Sequence, residues 1–459
     1  MPISEKDRLL KRIREGEPLT TSQEVRLAAA LSVPAILSQL STIVMEYIDA
    51  SMVGMLGASS SASIGLVSTS IWLLGGIVSA AAIGFSVQVA HKIGANNNHE
   101  ARVIFRQALL ACFVFSIFIM LIGACISPYL PHWLGGNAEI CEDASTYFLV
   151  FCLALPILMI RRLCGSMLRS SGNVKVPSLL NVFACVMDIV FNYFLIYKCG
   201  LGVLGAALGT LFAEVCTMFL MLYYACFKSE ELRLTHERGS FMPDTKHLRL
   251  SLKIGLPIGI EHIIFCAAQI VSTIIVAPLG TVAIAANAFG ITIESLCYMP
   301  GYGIGDAATT LVGQSLGANR RELCRRFALI TIGLGVAVMT FMAMIMYVTA
   351  PYLMSLMTPD LVVQDLATRV LRIEAFVEPF YAASIVAYSV FVGFGQTIKP
   401  CVLNLLSIWC VRITLAVYLA SSMGLVGVWI AMAVELTFRG LIQTIALVPV
   451  LNNKQTKTS

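Results

Sequence analysis

Charged residues are scarce along this chain. Asp, Glu, Lys and Arg make up 12% of its 459 residues, whereas a soluble domain carries about 25%. The chain also has no Walker or HExxH motif, and no C-x-x-C pair among its 14 cysteines. These absences exclude a soluble globular enzyme, a disordered chain, a disulfide-rich secreted module and a paired-cysteine zinc site. Hydrophobic residues make up 58% and are spread over the whole length, which indicates a polytopic membrane protein.

Long apolar runs predict the membrane spans. A helix needs about 20 apolar residues to cross the hydrocarbon core, and about twelve runs of that length lie between polar breaks. We therefore expect an all-α polytopic membrane protein. The predicted spans are 28–54, 62–90, 104–128, 144–168, 176–197, 202–227, 249–276, 282–313, 326–350, 366–393, 400–420 and 424–450. The charged start of the chain lacks the apolar stretch and cleavage site of a signal peptide.

Positive charges predict the orientation. If the amino terminus is cytoplasmic, 24 of the 31 lysines and arginines lie on the cytoplasmic side. The opposite side then holds three, which are Lys198, Arg369 and Arg372. This distribution follows the positive-inside rule. We therefore expect a multi-pass protein of the cell inner (cytoplasmic) membrane with both termini in the cytoplasm.

Landmarks of the first half return in the second half at a spacing of 223 residues. The matched pairs are Pro34 and Pro257, Gly57 and Gly280, and Gly94 and Gly317. Each copy contains six spans, so both enter the membrane in the same direction and form two six-helix lobes related by a pseudo-twofold axis along the membrane normal. The repeat therefore predicts a substrate path between the lobes, and rocking of the lobes around a central cavity. The predicted boundaries are an amino-terminal arm at 1–27, an N-lobe at 28–227, a cytoplasmic linker at 228–248, a C-lobe at 249–450 and a cytoplasmic tail at 451–459.

Polar residues inside the first lobe indicate a cation site. A charged residue at mid-bilayer costs about 2.5–3.5 kcal/mol, so it normally has a partner or a function. The candidates are Glu46 and Asp49 on the first helix, Asp188 and Asn192 on the fifth, and Thr210 on the sixth. Carboxylate, amide and hydroxyl oxygens suit Na⁺, and a buried aspartate beside a second carboxyl also suits a proton. We predict a Na⁺ or H⁺ coupling site there, with Na⁺ held by Asp49, Asp188, Asn192 and Thr210.

These polar residues occur in only one of the two copies of the repeat. The second-copy counterparts of Asp49, Asp188 and Asn192 are Ser272, Val411 and Leu415. A structural requirement would apply to both copies, whereas a coupling ion needs only one site, so the asymmetry favours function. For the hydroxyl of Thr210, a hydrogen bond back to its own helix is the alternative.

Further ionisable residues predict the lining of a substrate cavity. The candidates are Glu261, His262, Asp306, Glu378 and Arg161. Glu294 lies in the same span as Asp306, and Arg162 adjoins Arg161. Glu374 and Glu378 are four residues apart and are expected to stack on one helix, with a break in the helix ladder at Pro379 exposing backbone carbonyls. The acids would meet cationic substrates, and the arginines would neutralise first-lobe acids or contact an anionic substrate group. Packing between helices is the alternative. The expected partners are organic cations or amphiphilic drugs and membrane lipid, without nucleic acid or cofactor, and we expect a monomer.

Several motifs together carry a family resemblance. They are IDASMVGMLG after Pro34, QVAHKIGAN with TTLVGQSLGAN, RSSGNVKVP with GFGQTIKP, and LGVLGAALGT. This set resembles the multidrug and toxic compound extrusion (MATE) family in its prokaryotic branch, over about residues 28–450. The resemblance implies twelve helices in two lobes and Na⁺- or H⁺-coupled export of organic cations, often drugs.

The resemblance also implies site residues. The first-helix acid of the family falls on Asp49, and its sixth-helix threonine falls on Thr210. Its fifth-helix N-x-x-x-D pattern falls on Asp188 and Asn192, with the two residue types exchanged in this chain. A second-lobe glutamate of other branches falls on Phe265, so no matching acid lies there.

Two other function classes stay open. A lipid-linked oligosaccharide flippase of the same superfamily would need more spans and basic cavity residues, for which Arg161 and Arg162 are the candidates. An intramembrane enzyme would need a nucleophile–base pair or metal ligands at one depth, and His262 beside Glu261 is the feature that suggests one. The leading prediction is a secondary active, non-enzymatic antiporter that exports amphiphilic, cationic organic compounds in exchange for Na⁺ or H⁺.

Overall fold

A computed structural model describes residues 5–236 and 239–452 of the chain. These residues form helices and contain no β-strand, which confirms the all-α prediction. Arg238, Lys454 and Lys457, which contribute to the predicted cytoplasmic charge, lie outside the described residues, as does most of the predicted tail.

Eleven helices of the described chain are long and apolar enough to cross a membrane, counting α14 and α15 as one. In chain order the helices are α1 (Glu5–Arg14), α2 (Thr21–Gly54), α3 (Ala58–Gly94), α4 (Asn98–Ile126), α5 (Leu130–Trp133), α6 (Ala138–Ser170), α7 (Lys175–Tyr193), α8 (Gly202–Tyr223), α9 (Thr245–Val276), α10 (Thr281–Gly317), α11 (Arg321–Met357), α12 (Leu361–Ala375), α13 (Glu378–Gly393), α14 (Ile398–Leu406), α15 (Thr414–Met423) and α16 (Leu425–Asn452). π-helical turns extend α7 to Lys198 and α8 to Lys228, and a third joins α14 to α15.

The predicted span 366–393 is broken. It consists of α12 and α13, whose axes differ in direction by 56°, and counting this pair as one span gives twelve. Pro379 lies in the first turn of α13, where its missing N–H costs no hydrogen bond but prevents α12 from running on. The break places Glu378 at the first residue of α13.

The chain divides into two compact units, which we call the N-unit (Ser41–Gly259) and the C-unit (Met1–Leu40 with Ile260–Ser459). These boundaries differ from those of the predicted lobes, because α2 and α9 each contribute to both units. In the C-unit, a Cβ added to Gly303 would lie 2.6 Å from the backbone nitrogen of Ile36 in α2. In the N-unit, a Cβ added to Gly84 would lie 2.5 Å from the carbonyl oxygen of Ser251 in α9.

The two units repeat one packing pattern. In the N-unit α6 packs against α3, α4 and α8, and in the C-unit α13 packs against α10, α11 and α16. The turns repeat as well, because Asn96 and Asn319, 223 residues apart, both have positive φ, at 57° and 59°. Asparagine is one of the few non-glycine residues that adopt this left-handed conformation readily. The sequence repeat is therefore a repeat of helix packing and of turn geometry.

Replacement of Gly84 with alanine is expected to lower the melting temperature. The new Cβ would press on the backbone at Ser251, and overpacking of this kind costs about 1–3 kcal/mol. Gly65 on the same helix has open space around it, so Gly65→Ala is the matched control and should leave the melting temperature unchanged or slightly higher. Thermal unfolding of both variants in detergent checks this, and equal melting temperatures would contradict the close approach of α3 and α9.

Candidate functional site

Asn192 joins two acids inside the N-unit. Its Nδ2 donates hydrogen bonds to Oδ1 of Asp49 at 2.9 Å and to Oδ2 of Asp188 at 3.0 Å. Asp188 and Asn192 lie one turn apart on α7, and each is only 1% exposed. The carboxyl groups of Asp49 and Asp188 also lie close enough to interact directly. Ionised carboxylates can only accept hydrogen bonds, so this proximity favours the sharing of one proton between the two groups.

Helix α8 completes this site. The hydroxyl of Thr210 interacts with the carboxyl group of Asp188. The preceding residue, Gly209, leaves room for the side chain of Asn192, because a Cβ at position 209 would overlap Oδ1 of Asn192. Tyr147 of α6 lies close enough to both aspartates for electrostatic interaction with their carboxyl groups. Sequence analysis missed Tyr147 and the role of Gly209, because neither residue belongs to a polar pattern.

Two buried oxygens of the site lack a hydrogen-bond donor among the described residues. In the described part of the chain, neither Oδ1 of Asp188 nor Oδ1 of Asn192 has a hydrogen-bond donor. Buried polar atoms are normally paired, so these two oxygens lack the partner that a buried oxygen usually has. Together with the Asp49 carboxylate and the Thr210 hydroxyl they form an oxygen set that suits a hard cation or a proton. The structure thus brings together the four residues that the sequence analysis grouped.

Glu46 lies beside this site rather than in it. It is exposed, one turn before Asp49 on α2, and its charge influences Asp49 across space. The charge of Arg162 influences Glu46 in turn, without an ion pair between the two among the described residues. The predicted coupling role of Glu46 has no hydrogen bond to support it and stays a prediction.

Arg161 is occupied by other partners. It forms an ion pair with Glu214 of α8 and donates a hydrogen bond to Oδ1 of Asn181 at 2.9 Å. The side chains of Arg161 and Glu214 are only 15% and 10% exposed. Of the two roles predicted for Arg161, the pairing favours neutralisation of a first-lobe acid over contact with an anionic substrate group.

Glu261 belongs to a hydrogen-bonded chain in the C-unit. It accepts from Oη of Tyr388 at 2.7 Å and from Nδ2 of Asn404 at 2.6 Å. Nε2 of Gln443 donates to Oδ1 of Asn404 at 2.7 Å. The chain links α9, α13, α14 and α16, which favours the packing alternative for Glu261. Sequence analysis missed Tyr388 and Gln443, since their partners lie far away along the chain.

The other candidates in the C-unit differ in burial and do not form one cluster among the described contacts. His262 of α9 and Asp306 of α10 are half-buried, and no described contact joins either to Glu378. Glu374 and Glu378 are fully buried, and none of their carboxyl oxygens has a donor among the described residues. The spacing of four residues predicts that these two glutamates stack one turn apart on a single helix. That expectation is wrong, because the break between α12 and α13 separates them.

A buried ion pair near these acids was missed. Glu435 and Arg439, one turn apart on α16, are joined at 2.9 Å, and their side chains are 0% and 8% exposed. Two charges four residues apart inside the apolar run 424–450 were the signal that could have revealed the pair. Glu294, 6% exposed on α10, lies near enough to Arg439 for the two charges to interact.

A protein-family model matches most of this chain. The family model described as MatE matches residues 34–194 and 257–418. The two matched segments begin at Pro34 and Pro257, the first landmarks of the internal repeat. The match therefore follows the repeat and covers more than half of the chain.

Similar proteins and structures agree with that match. The probable multidrug resistance protein NorM of Thermotoga maritima is 26% identical over 426 residues, which cover 90% of each chain. NorM of Neisseria meningitidis serogroup B is 26% identical over 431 residues, covering 91% of this chain and 93% of its own. A crystal structure of MATE in complex with MaL6 has a TM-score of 0.90 at 20% identity, over 96% of this chain and 98% of its own. A MOP superfamily transporter from Pyrococcus furiosus, described as having a binding pocket of reverse polarity, has a TM-score of 0.90 at 20% identity, over 97% and 99%.

Loss of Arg161 alone is expected to destabilise the protein more than loss of the whole pair. Arg161→Gln leaves Glu214 buried and unpaired, which costs about 3–5 kcal/mol. The double variant Arg161→Gln with Glu214→Gln should recover most of that loss in thermal unfolding.

The control for this prediction is the exposed pair Asp365–Arg369, whose side chains are 63% and 66% exposed at 2.8 Å. Arg369→Gln should change the free energy of unfolding by less than about 1 kcal/mol. A double variant at 161 and 214 that is no more stable than Arg161→Gln would contradict the pairing.

Proposed function

The chain belongs to the MATE family of multidrug transporters, and from this we propose that it exports amphiphilic, cationic organic compounds in exchange for a cation bound in the N-unit. The observation that carries the proposal is the pair of aspartates, Asp49 and Asp188, held together by Asn192. A cation that binds there with different affinity in two conformations can shift the balance between them, which is the requirement for coupling.

A proton is the ion that this geometry supports best. The carboxyls of Asp49 and Asp188 lie close enough to interact directly, so one proton can be shared between them. Removal of that proton leaves two negative charges in contact, which repel each other strongly in a medium of low dielectric constant. Proton binding and release at this pair therefore carry a large difference in energy.

Na⁺ is the second candidate ion. It is supported by the unpaired oxygens of Asp188 and Asn192 and by the hydroxyl of Thr210 next to them. Binding of Na⁺ would require the two carboxyls to exchange their shared proton for the metal ion. The same four side chains serve both ions, so competition between H⁺ and Na⁺ follows from the geometry.

Acids near the coupling site support a cationic substrate. Glu46 is exposed in the same unit and provides a negative charge outside the hydrogen-bonded set. The Pyrococcus furiosus transporter with the same fold is described as having a binding pocket of reverse polarity, so the fold alone does not determine the polarity of the pocket. Alternating access by rocking of two lobes, the cytoplasmic location of both termini and the monomeric state stay predictions from the repeat and the charge distribution.

Replacement of Asp49 with asparagine is expected to abolish export while leaving the protein folded. The amide of the new side chain keeps the shape and hydrogen-bonding capacity of the carboxyl group but cannot ionise. Coupling free energies are typically about 1–3 kcal/mol, so dye export from cells should fall by about tenfold or more. Asp143→Asn, at an exposed acid on α6, is the matched control and should keep the wild-type rate. Wild-type export by Asp49→Asn would remove this residue from the mechanism.

Imposed gradients in proteoliposomes should identify the coupling ion. A pH gradient that is acidic on the side receiving the dye is expected to drive dye accumulation there without Na⁺. A Na⁺ gradient of the same direction at equal pH should drive less, because Na⁺ has to displace the shared proton. Transport that depends on Na⁺ and ignores the pH gradient would overturn proton coupling, and transport that ignores both would overturn the antiport proposal.

A further inference from the structure

We propose that a groove of the C-unit, between α11, α12 and α16, is a binding site for an anionic phospholipid, with Arg372 holding the phosphate of the headgroup. This inference goes beyond the proposed export function and does not depend on it, because lipid binding requires no transport. The groove has a volume of about 350 Å³. Its lining consists of Tyr347, Arg372, Ile373, Phe376, Val377 and Ala433.

Arg372 is the charged residue of this groove. Its guanidinium lies over the ring of Tyr347, 5.1 Å from the ring centroid, and its Nε donates a long hydrogen bond of 3.5 Å to the carbonyl oxygen of Tyr347. These two contacts orient the guanidinium without neutralising it. The side chain is exposed, and in the part of the chain that the structure describes no carboxylate forms an ion pair with Arg372. The edge of the guanidinium that carries the Nη atoms is therefore available to an anion.

The guanidinium of Arg372 reaches back toward the membrane surface. Arg372 lies six residues inside the predicted span 366–393, which is about 9 Å along the helix axis. Side chains of a helix point toward its amino-terminal end, which for α12 is the nearer surface. Tyr347, below the guanidinium, lies three residues, about 4.5 Å, before the end of the predicted span 326–350. Long basic side chains place their charge at the headgroup level in this way, so a lipid phosphate is within reach.

The rest of the groove fits an acyl chain. Ile373, Val377 and Ala433 are the aliphatic residues of its lining, and Phe376 extends from it with 71% of its surface exposed. Phe376 and Val377 are the two residues between the end of α12 and the start of α13. The helix break therefore supplies part of the apolar lining, directly next to the charge of Arg372.

The flanks of the groove indicate that it opens to lipid. Met344 and Val348, one turn before and one residue after Tyr347 on α11, are large, apolar and exposed, and so is Val434, which follows Ala433 on α16. Exposed apolar surface of this kind marks contact with the membrane. A charge next to hydrocarbon is costly unless it has a partner, and the phosphate of a bound lipid provides that partner.

The charge of the lining favours an anionic lipid over a zwitterionic one. A guanidinium binds two oxygens of a phosphate through parallel hydrogen bonds. The ammonium group of a zwitterionic headgroup would then need an acid, and none of the six lining residues is one. Glu374, the nearest acid along the chain, is fully buried. Phosphatidylglycerol carries the phosphate without a cationic group and needs no such acid.

Titration with lipids that share their acyl chains tests the site. The purified full-length protein, freed of lipid in detergent, is titrated with dioleoylphosphatidylglycerol, and native mass spectrometry gives the dissociation constant of the first bound lipid. Dioleoylphosphatidylcholine has a zwitterionic headgroup, and dioleoylglycerol has no phosphate. The wild-type protein should bind phosphatidylglycerol about tenfold more tightly than either, equivalent to about 1.4 kcal/mol. Equal dissociation constants for the three lipids would overturn the proposal.

Replacement of Arg372 separates the phosphate contact from the acyl contact. Arg372→Gln should raise the dissociation constant for phosphatidylglycerol about tenfold and leave that for dioleoylglycerol unchanged. Arg372→Lys keeps the charge but loses the two parallel hydrogen bonds, so it should retain part of the binding. The matched control is Arg369→Gln, one turn earlier on α12, because Arg369 is already paired with Asp365 at 2.8 Å. Unchanged binding in Arg372→Gln, or an equal loss in Arg369→Gln, would overturn the site.

Inorganic phosphate distinguishes a lipid site from a site for a soluble anion. Millimolar phosphate should leave phosphatidylglycerol bound, because the free ion cannot fill the apolar part of the groove. Displacement of the lipid by phosphate would assign Arg372 to a soluble anion and overturn the lipid site. Phe376→Ala should weaken the binding of phosphatidylglycerol and of dioleoylglycerol to the same extent, and unchanged binding of both would overturn the placement of the acyl chain.

Discussion

The cost of placing charge in hydrocarbon governs the ionisable side chains of this chain. A charge at bilayer depth has to be paired, protonated or open to water, and the N-unit uses all three solutions. Arg161 and Glu214 are paired, Asp49 lies beside a second carboxyl group with which it can share a proton, and Arg162 stays exposed. Only the second and third solutions can change during transport, because a proton can leave and a ligand can arrive. The buried ion pair of Arg161 and Glu214 joins α6 to α8.

The internal repeat supplies one scaffold and two kinds of chemistry. Asn181 and Asn404 are 223 residues apart and occupy equivalent places in the two copies. Asn181 accepts a hydrogen bond from a cation, Arg161, whereas Asn404 donates one to an acid, Glu261. An amide can do both, because it carries a donor and an acceptor. Divergence of the halves therefore changed the sign of the charge next to a retained asparagine without changing the helix packing.

The features that could be predicted from the sequence were those set by short spacings. Span lengths and the repeat follow from hydropathy and from landmark residues, and the pairing of Asp188 with Asn192 follows from their separation by one helical turn. Most contacts between distant segments could not be predicted, and the grouping of Asp49 with Asp188 is the exception, because both are acids inside the same predicted lobe. The partner of Arg161 lies 53 residues further along the chain at Glu214, and a hydropathy pattern contains no information on it. The separation of Glu374 from Glu378 depends on a helix break, and Pro379 predicts a break after Glu378, whereas the helix breaks before it.

Helix α2 carries Asp49 of the proposed ion site and contains residues of both units. Its residues up to Leu40 belong to the C-unit, and those from Ser41, including Asp49, belong to the N-unit. Asp49 is held to α7 by Asn192 and by the carboxyl contact with Asp188. Ionisation of both carboxyl groups would place two like charges next to each other at that contact, while the bond to Asn192 could persist. The force then acts on a helix that continues into the other unit, and Gly303 allows the backbone of α10 to pack directly on that part of α2. A cation can shift a conformational balance only through a difference in affinity between states, and the junction of α2 with α7 is where such a difference can arise.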